Sequence, residues 1–193
     1  MIPKLLPLLG LAATLGCLGS STSAPVVYHT LQPLQLEGAA PARSGLAVEV
    51  MPVRLPGLLQ RPQMVVAQGS ALGLTEAQRW GNPLDQDMQR VLVQDLGLLL
   101  GSDAVVPYPY GDRVRAAYQV GVGILSCDAQ SGPLTLEAVW MLTRPAVDRA
   151  VLVQRSVFRE ALPDPGPDTL AAAHSRALEA LSREIAAALL RRP

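Results

Sequence analysis

The chain has 193 residues, with 16 basic and 16 acidic side chains and a formal net charge of zero. That balance argues against a nucleic-acid binder and against a polybasic membrane-surface protein, both of which carry a basic excess. Hydrophobic residues are 49% of the chain but aromatics only 4%, so a core is available and must be built from Leu, Val and Ala; two Cys and two His exclude a disulfide framework, a Cys-rich zinc site and a three-His site.

Lys4, the only lysine in the chain, precedes an apolar run from Leu5 to Leu15. The run fits the hydrophobic region of a signal peptide and is too short to span a bilayer, which takes about 20 residues. It ends in Thr14-Leu15-Gly16-Cys17, and Gly16-Cys17 resembles the lipobox of bacterial lipoproteins, although Thr14 and Leu15 depart from its commonest residues. The resemblance implies cleavage after residue 16 and a diacylglycerol and an N-acyl chain on Cys17. Two or three chains anchor a protein stably where one does not. Leu18, not Asp, follows the Cys, which by the common sorting rule implies the outer membrane, with the chain facing the periplasm. Residues 17–25 then form a flexible, lipidated tether and 26–193 a single periplasmic domain.

Val26 to Leu31 reads as a strand, residues 37–45 as a loop, and Leu46 to Leu55 as a strand made irregular by Pro52 and Pro56. Gln63 to Gln68 and a run ending near Thr75 are further short strands. Asn82-Pro83-Leu84-Asp85 has the form of a helix start, and the stripe Leu84, Met88, Val91, Leu92, Leu96, Leu99 predicts a helix over 83–100, closed by Gly101. Val105 to Tyr108, Arg115 to Cys127, Pro133 to Thr143 and Ala150 to Ala161 follow as strands, the last three as a meander. Gly121 and Gly123 leave room there for a helix or another backbone. After Pro163–Pro167, Asp168 caps a final helix over 168–190 with a stripe from Leu170 to Leu189. Two one-sided helices need a common apolar platform, so the expected fold is a two-layer α/β sandwich, a mostly antiparallel sheet with both main helices on one face.

No nucleophile elbow, phosphate loop, Cys-x-x-Cys or zinc-protease motif occurs, and Asp85 and Asp87 are spaced to point to different faces of their helix. The expectation is a non-enzyme without cofactor or catalytic residues. Cys127 and His174 read as core residues and His29 as a surface residue. What remains are irregular stretches rich in apolar, proline, arginine and aromatic residues, the types found at interface centres. Leu55, Leu58, Arg61, Trp80, Tyr108 and Tyr110 are the candidate contacts for a partner or a second copy.

Val53-Arg54-Leu55-Pro56, Arg61-Pro62-Gln63-Met64-Val65, Arg79-Trp80 with Pro83-Leu84, Leu99-Leu100-Gly101-Ser102 leading to Val105–Pro109, Leu136–Trp140 and the closing helix follow one another in an order and spacing that resemble the ABC-type transport auxiliary lipoproteins, also described as PqiC-like or YmbA-like. Tyr110 stands where Trp is common in that family. The resemblance implies an outer-membrane docking or auxiliary subunit for phospholipid transport between membranes and for envelope integrity. Its partners would be an MCE-domain protein bridging the periplasm and inner-membrane transporter subunits, with homo-oligomers as a further option. The alternative is a periplasmic lipid carrier or LPS-assembly lipoprotein that takes an acyl chain into an apolar pocket between sheet and helices.

Overall fold

The computed structural model describes residues 25–36, 44–68, 71–110, 115–129, 132–164 and 166–192. The expected signal peptide, Cys17, nearly all of the tether and positions 37–43 of the expected loop lie outside the described residues. The elements are β1 Val27–His29, β2 Val48–Val50, β3 Gln63–Gln68, β4 Ala71–Trp80, α1 Leu84–Leu100, β5 Val105–Pro107, β6 Tyr118–Asp128, β7 Leu134–Arg144, β8 Arg149–Glu160 and α2 Pro167–Leu190.

Five strands form one sheet in the order β5-β2-β6-β7-β8, and three form a second in the order β1-β4-β3. The long pairings, β6 with β7, β7 with β8 and β3 with β4, are antiparallel. The three-residue pairings of β1 with β4 and of β2 with β5 and β6 are parallel. Alternation explains the layering: Tyr118, Val120, Val122 and Ile124 of β6 and Leu134, Leu136, Ala138, Trp140 and Leu142 of β7 are all buried on one side. Both helices cover that side, α1 against β2 and β5, α2 against β7 and β8, and they pack on each other. The mixed sandwich with both helices on one face is the architecture expected, except that the strands divide into two sheets.

A bulge between Ile124 and Ser126 changes the parity of β6, which sets Cys127 opposite buried Leu136 and packs it against the core. A polar chain links sheet to helix: Trp140 Nε1 donates to Ser156 Oγ (3.1 Å), and Ser156 donates to Glu184 of α2 (2.8 Å). Gly101 ends α1 in the left-handed conformation (φ 57°), as a C-terminal glycine should.

Several boundaries differ from the sequence reading. The first strand stops at His29 because the next N–H groups turn to the helices. Leu31 N–H donates to Asp87 Oδ2 (2.7 Å), Gln32 N–H to Ser175 Oγ (3.0 Å) and Leu34 N–H to Asp95 Oδ1 (2.8 Å). Residues 31–34 are therefore an extended strap across α1 and α2, with Leu31 and Leu34 buried beneath it. The run 46–55 is interrupted at Pro52, which has no N–H, and rejoins β6 at Arg54, whose N–H donates to the Val122 carbonyl (3.0 Å). β4 continues past Thr75 to Trp80 because its polar second half pairs with β1. Neither Asn82 nor Asp168 caps a helix through its side chain. Asp168 instead lies 3.2 Å from His29 Nδ1, and His29 is buried, not at the surface, its Nε2 2.6 Å from Gln78 Oε1.

Asp95 is fully buried, and burial raises its carboxyl above the ordinary value of 3.8, outweighing the Leu34 N–H and Ser182 hydroxyl that favour the charged form. The geometry agrees. Ser182 Oγ lies 2.9 Å from both Asp95 Oδ2 and the Leu178 carbonyl but has one proton to give. A protonated Asp95 donates to Ser182, which then donates to Leu178, and every group is satisfied. A raised carboxyl in the folded state makes the Asp95 contribution greatest below pH 3.8 and progressively smaller as pH rises through the folded-state value. Asp95→Asn reproduces the protonated pattern, so its unfolding midpoint at pH 7.5 should equal or exceed that of the parent, with a flatter profile above pH 3.8. Asp95→Leu leaves the Leu34 N–H without an acceptor and should cost about 1–3 kcal/mol. Thermal unfolding followed by circular dichroism across that range checks both.

Candidate functional site

The helix-covered side of the sheet is filled by side chains; Leu92, Leu96, Trp140, Leu178 and Leu181 are all fully buried there. An apolar groove lies on the opposite, open face, whereas the alternative carrier reading would place its pocket between sheet and helices. The groove has a volume of about 680 Å³ and runs along β6. Its floor is made by Gly121 and Gly123, which point away from the helices. Of the two options the sequence left open, a helix or another backbone, no helix among the described residues lies against them, and an added Cβ at Gly123 would meet the backbone carbonyl of Val139 at 3.8 Å. Met141 of β7 folds over Gly121 so closely that an added Cβ would lie 3.1 Å from its Cγ.

One wall is the segment Met51–Arg54, held to β6 by backbone bonds from Met51 N–H to the Val120 carbonyl (2.8 Å) and from Ile124 N–H to the Arg54 carbonyl (2.8 Å). The other wall is Val139 and Met141, opposite Gly123 and Gly121 in register. Leu125, exposed at the bulge, extends the apolar surface. Arg54 stands at the Gly123 end and makes no side-chain hydrogen bond or ion pair among the described residues. Asp148 stands at the other end, in the turn after β7, with φ 45°. The groove is thus mostly apolar, with Gln119 and Thr143 in its lining, Arg54 at one end and Asp148 at the other.

Of the residues picked from sequence, Tyr108 reaches this site, tied to β2 by its N–H to the Val50 carbonyl (2.9 Å). Tyr110 is 51% exposed nearby in the chain. Leu58 is half-buried in the 3-10 turn Gly57–Gln60, and Arg61 is exposed beyond it. Leu55 is buried in the core. Trp80 is also buried, its ring set edge-on to His174 with centroids 5.3 Å apart; its N–H bonds to the Pro62 carbonyl, so only its backbone adjoins the Arg61 turn. Cys17 is outside the described residues. Arg54 belongs to the proline-flanked stretch that the sequence singles out, whereas Val139 and Met141 carried no such signal. The available signal was the pair of glycines two apart in an apolar alternating strand, which placed an opening on one face without saying which.

Among the described residues no group of three His, Cys, Asp or Glu is placed to hold a metal ion, and no helix is long and apolar enough to cross a membrane. Burial lowers His174 towards its neutral form, with Nδ1 2.8 Å from the Leu170 carbonyl. Burial pushes the Cys127 thiol up to about 12, so it stays protonated near neutral pH.

The family model described as "ABC-type transport auxiliary lipoprotein component" matches residues 29–186. No curated protein matches significantly. A crystal structure of an uncharacterized protein is similar with TM-score 0.70 and 17% identity, over 86% of this chain and 99% of that one. A Xanthomonas campestris protein of family DUF330 is similar with TM-score 0.66 and 17% identity, over 84% and 93% of the two chains. PelC from Paraburkholderia phytofirmans, crystallised as a dodecamer, is more distant, with TM-score 0.47 and 11% identity over 77% and 92%. At 17% identity the first two likenesses show a shared fold.

Core and surface aromatics separate in a simple experiment. Trp80→Ala should lose about 3–5 kcal/mol, the usual cost of emptying a buried ring site. Tyr110→Ala should change stability by less than about 0.5 kcal/mol. Urea denaturation midpoints of the two variants check this.

Proposed function

Because the chain belongs to the ABC-type transport auxiliary lipoprotein component family, we propose that it is a non-enzymatic lipoprotein, anchored through acylated Cys17 at the periplasmic face of the outer membrane, that docks an MCE-type ABC system moving phospholipids between membranes. The observation that carries the family assignment is the match over residues 29–186, which runs from the end of β1 through every later strand and α1 and into α2 as far as residue 186. Two further features support the finer reading. Gly16-Cys17 follows a short apolar run behind Lys4, the arrangement a lipoprotein signal requires. Half-buried Leu58 and exposed Arg61, Tyr108 and Tyr110 combine apolar, aromatic and cationic side chains held on proline-rich backbone, which loses little entropy on docking.

Mass spectrometry of the membrane-extracted protein should find a chain beginning at Cys17 and carrying acyl mass. A chain that retains Met1, or that starts elsewhere without lipid, overturns the anchor. Cys17→Ala should release or stall the protein. Arg61→Glu and Leu58→Asp should leave the unfolding midpoint within a few degrees, since partly exposed positions tolerate change, while co-purification of the bridging partner is lost. Retained co-purification places the contact elsewhere.

A further inference from the structure

The centre of the open sheet face is a groove rather than a flat surface, and its shape and charge are those of a ligand site. We propose that it binds one long, unbranched, anionic amphiphile, with the hydrocarbon chain lying along β6 and the acidic head at Arg54. This goes beyond the docking role and does not depend on it.

The dimensions fit. The floor runs for about 20 Å from Gln119 to Leu125 at roughly 3.3 Å per residue, and about 13 Å of it lies between Gly123, level with Arg54, and Gln119, enough for roughly the first ten carbons of an extended acyl chain. The volume of about 680 Å³ falls within the roughly 300–1,000 Å³ usual for small-molecule sites. The lining fits as well. Gly121 and Gly123 lower the floor, while Met51 and Met141 present flexible, polarizable thioethers that adapt to a mobile chain.

A polypeptide suits the groove less well. It would lie over the face of the sheet, where the β6 and β7 backbone groups are already paired with each other. Its own N–H and C=O groups would be buried against Met, Val and Gly without partners, at a cost of one to several kcal/mol each by the usual figure of about 1–3. A polymethylene chain has no such groups. The polarity of the site then sets the orientation: Arg54 lacks a partner of its own among the described residues, and Asp148 at the far end repels an acidic head.

The test uses the full-length protein in phosphatidylcholine vesicles and palmitic acid carrying a diazirine on its chain. Mapping by mass spectrometry should find the label in segments 119–125 and 139–143. Gly123→Val should abolish it. At that position an added Cβ lies 3.8 Å from the Val139 carbonyl, an ordinary contact, and valine favours strands, so the variant should keep the parent's circular dichroism and unfolding midpoint. Arg54→Glu, at an exposed position, should reduce labelling by palmitic acid by about fivefold, as expected for a solvent-accessible charge, and leave labelling by the corresponding uncharged hexadecanol probe unchanged. Label found elsewhere, or label retained in a folded Gly123→Val variant, overturns the site. Equal loss of both probes in Arg54→Glu overturns the assignment of the head group. A protein-sized adduct from a photo-crosslinking residue at position 141, without fatty-acid labelling, assigns the face to a polypeptide and also overturns the proposal.

Discussion

The arrangement rests on two aspartate side chains buried on α1. Asp87 and Asp95 take the N–H groups that residues 31 and 34 cannot offer to a sheet. Such groups, buried without acceptors, would each cost as much as a lost hydrogen bond or more. Because they are satisfied, the strap can lie across both helices and place Leu31 and Leu34 in the core. Arg90 reinforces it, donating from Nε to Asp87 Oδ1 (2.8 Å) and from Nη2 to the Leu31 carbonyl (2.7 Å). The strap also joins the small β1-β4-β3 sheet to the helix layer. The position of that small sheet, and of the Trp80–His174 contact behind it, follows from the strap.

The helices were legible because their stripes repeat near 3.6 residues and every member of the α2 stripe is buried as expected. The meander was legible because β6, β7 and β8 are eleven or twelve residues long and alternate over much of that length, β6 as far as its bulge. The strap was not. Asp87 looks like any solvated acid in a first helical turn, and nothing local tells that its partner is a backbone group 56 residues away. His29 was misplaced for the same reason: alternation in a three-residue strand is too short to assign a face, and the ring's polar partners, Gln78 and Asp168, lie far along the chain.

The candidate site was legible in part. Tyr108 and the Met51–Arg54 stretch attract attention as irregular, proline-flanked sequence, and both end at the groove. Leu55 and Trp80 came from the same kind of sequence but belong to the core, since composition alone does not separate an interface anchor from a packed ring. The groove itself depends on which face of β6 the helices choose. That choice is made by Tyr118, Val120, Val122 and Ile124, and it sends Gly121 and Gly123 to the open side. One sheet thus has a face committed to stability and a face relieved of it.

The parallel pairing of β1 with β4 has a mechanical consequence. Tension arriving through the chain before Pro25 enters the fold at β1, which holds β4 through only three residue pairs. A pull along the strand axis loads those pairs together in shear instead of peeling them singly. Beyond them stand the three side-chain acceptors of the strap, spread over two helices. The strap therefore acts as a second latch in series with the strand: the load must release Asp87, Ser175 and Asp95 in turn before it reaches the sheet that carries the groove.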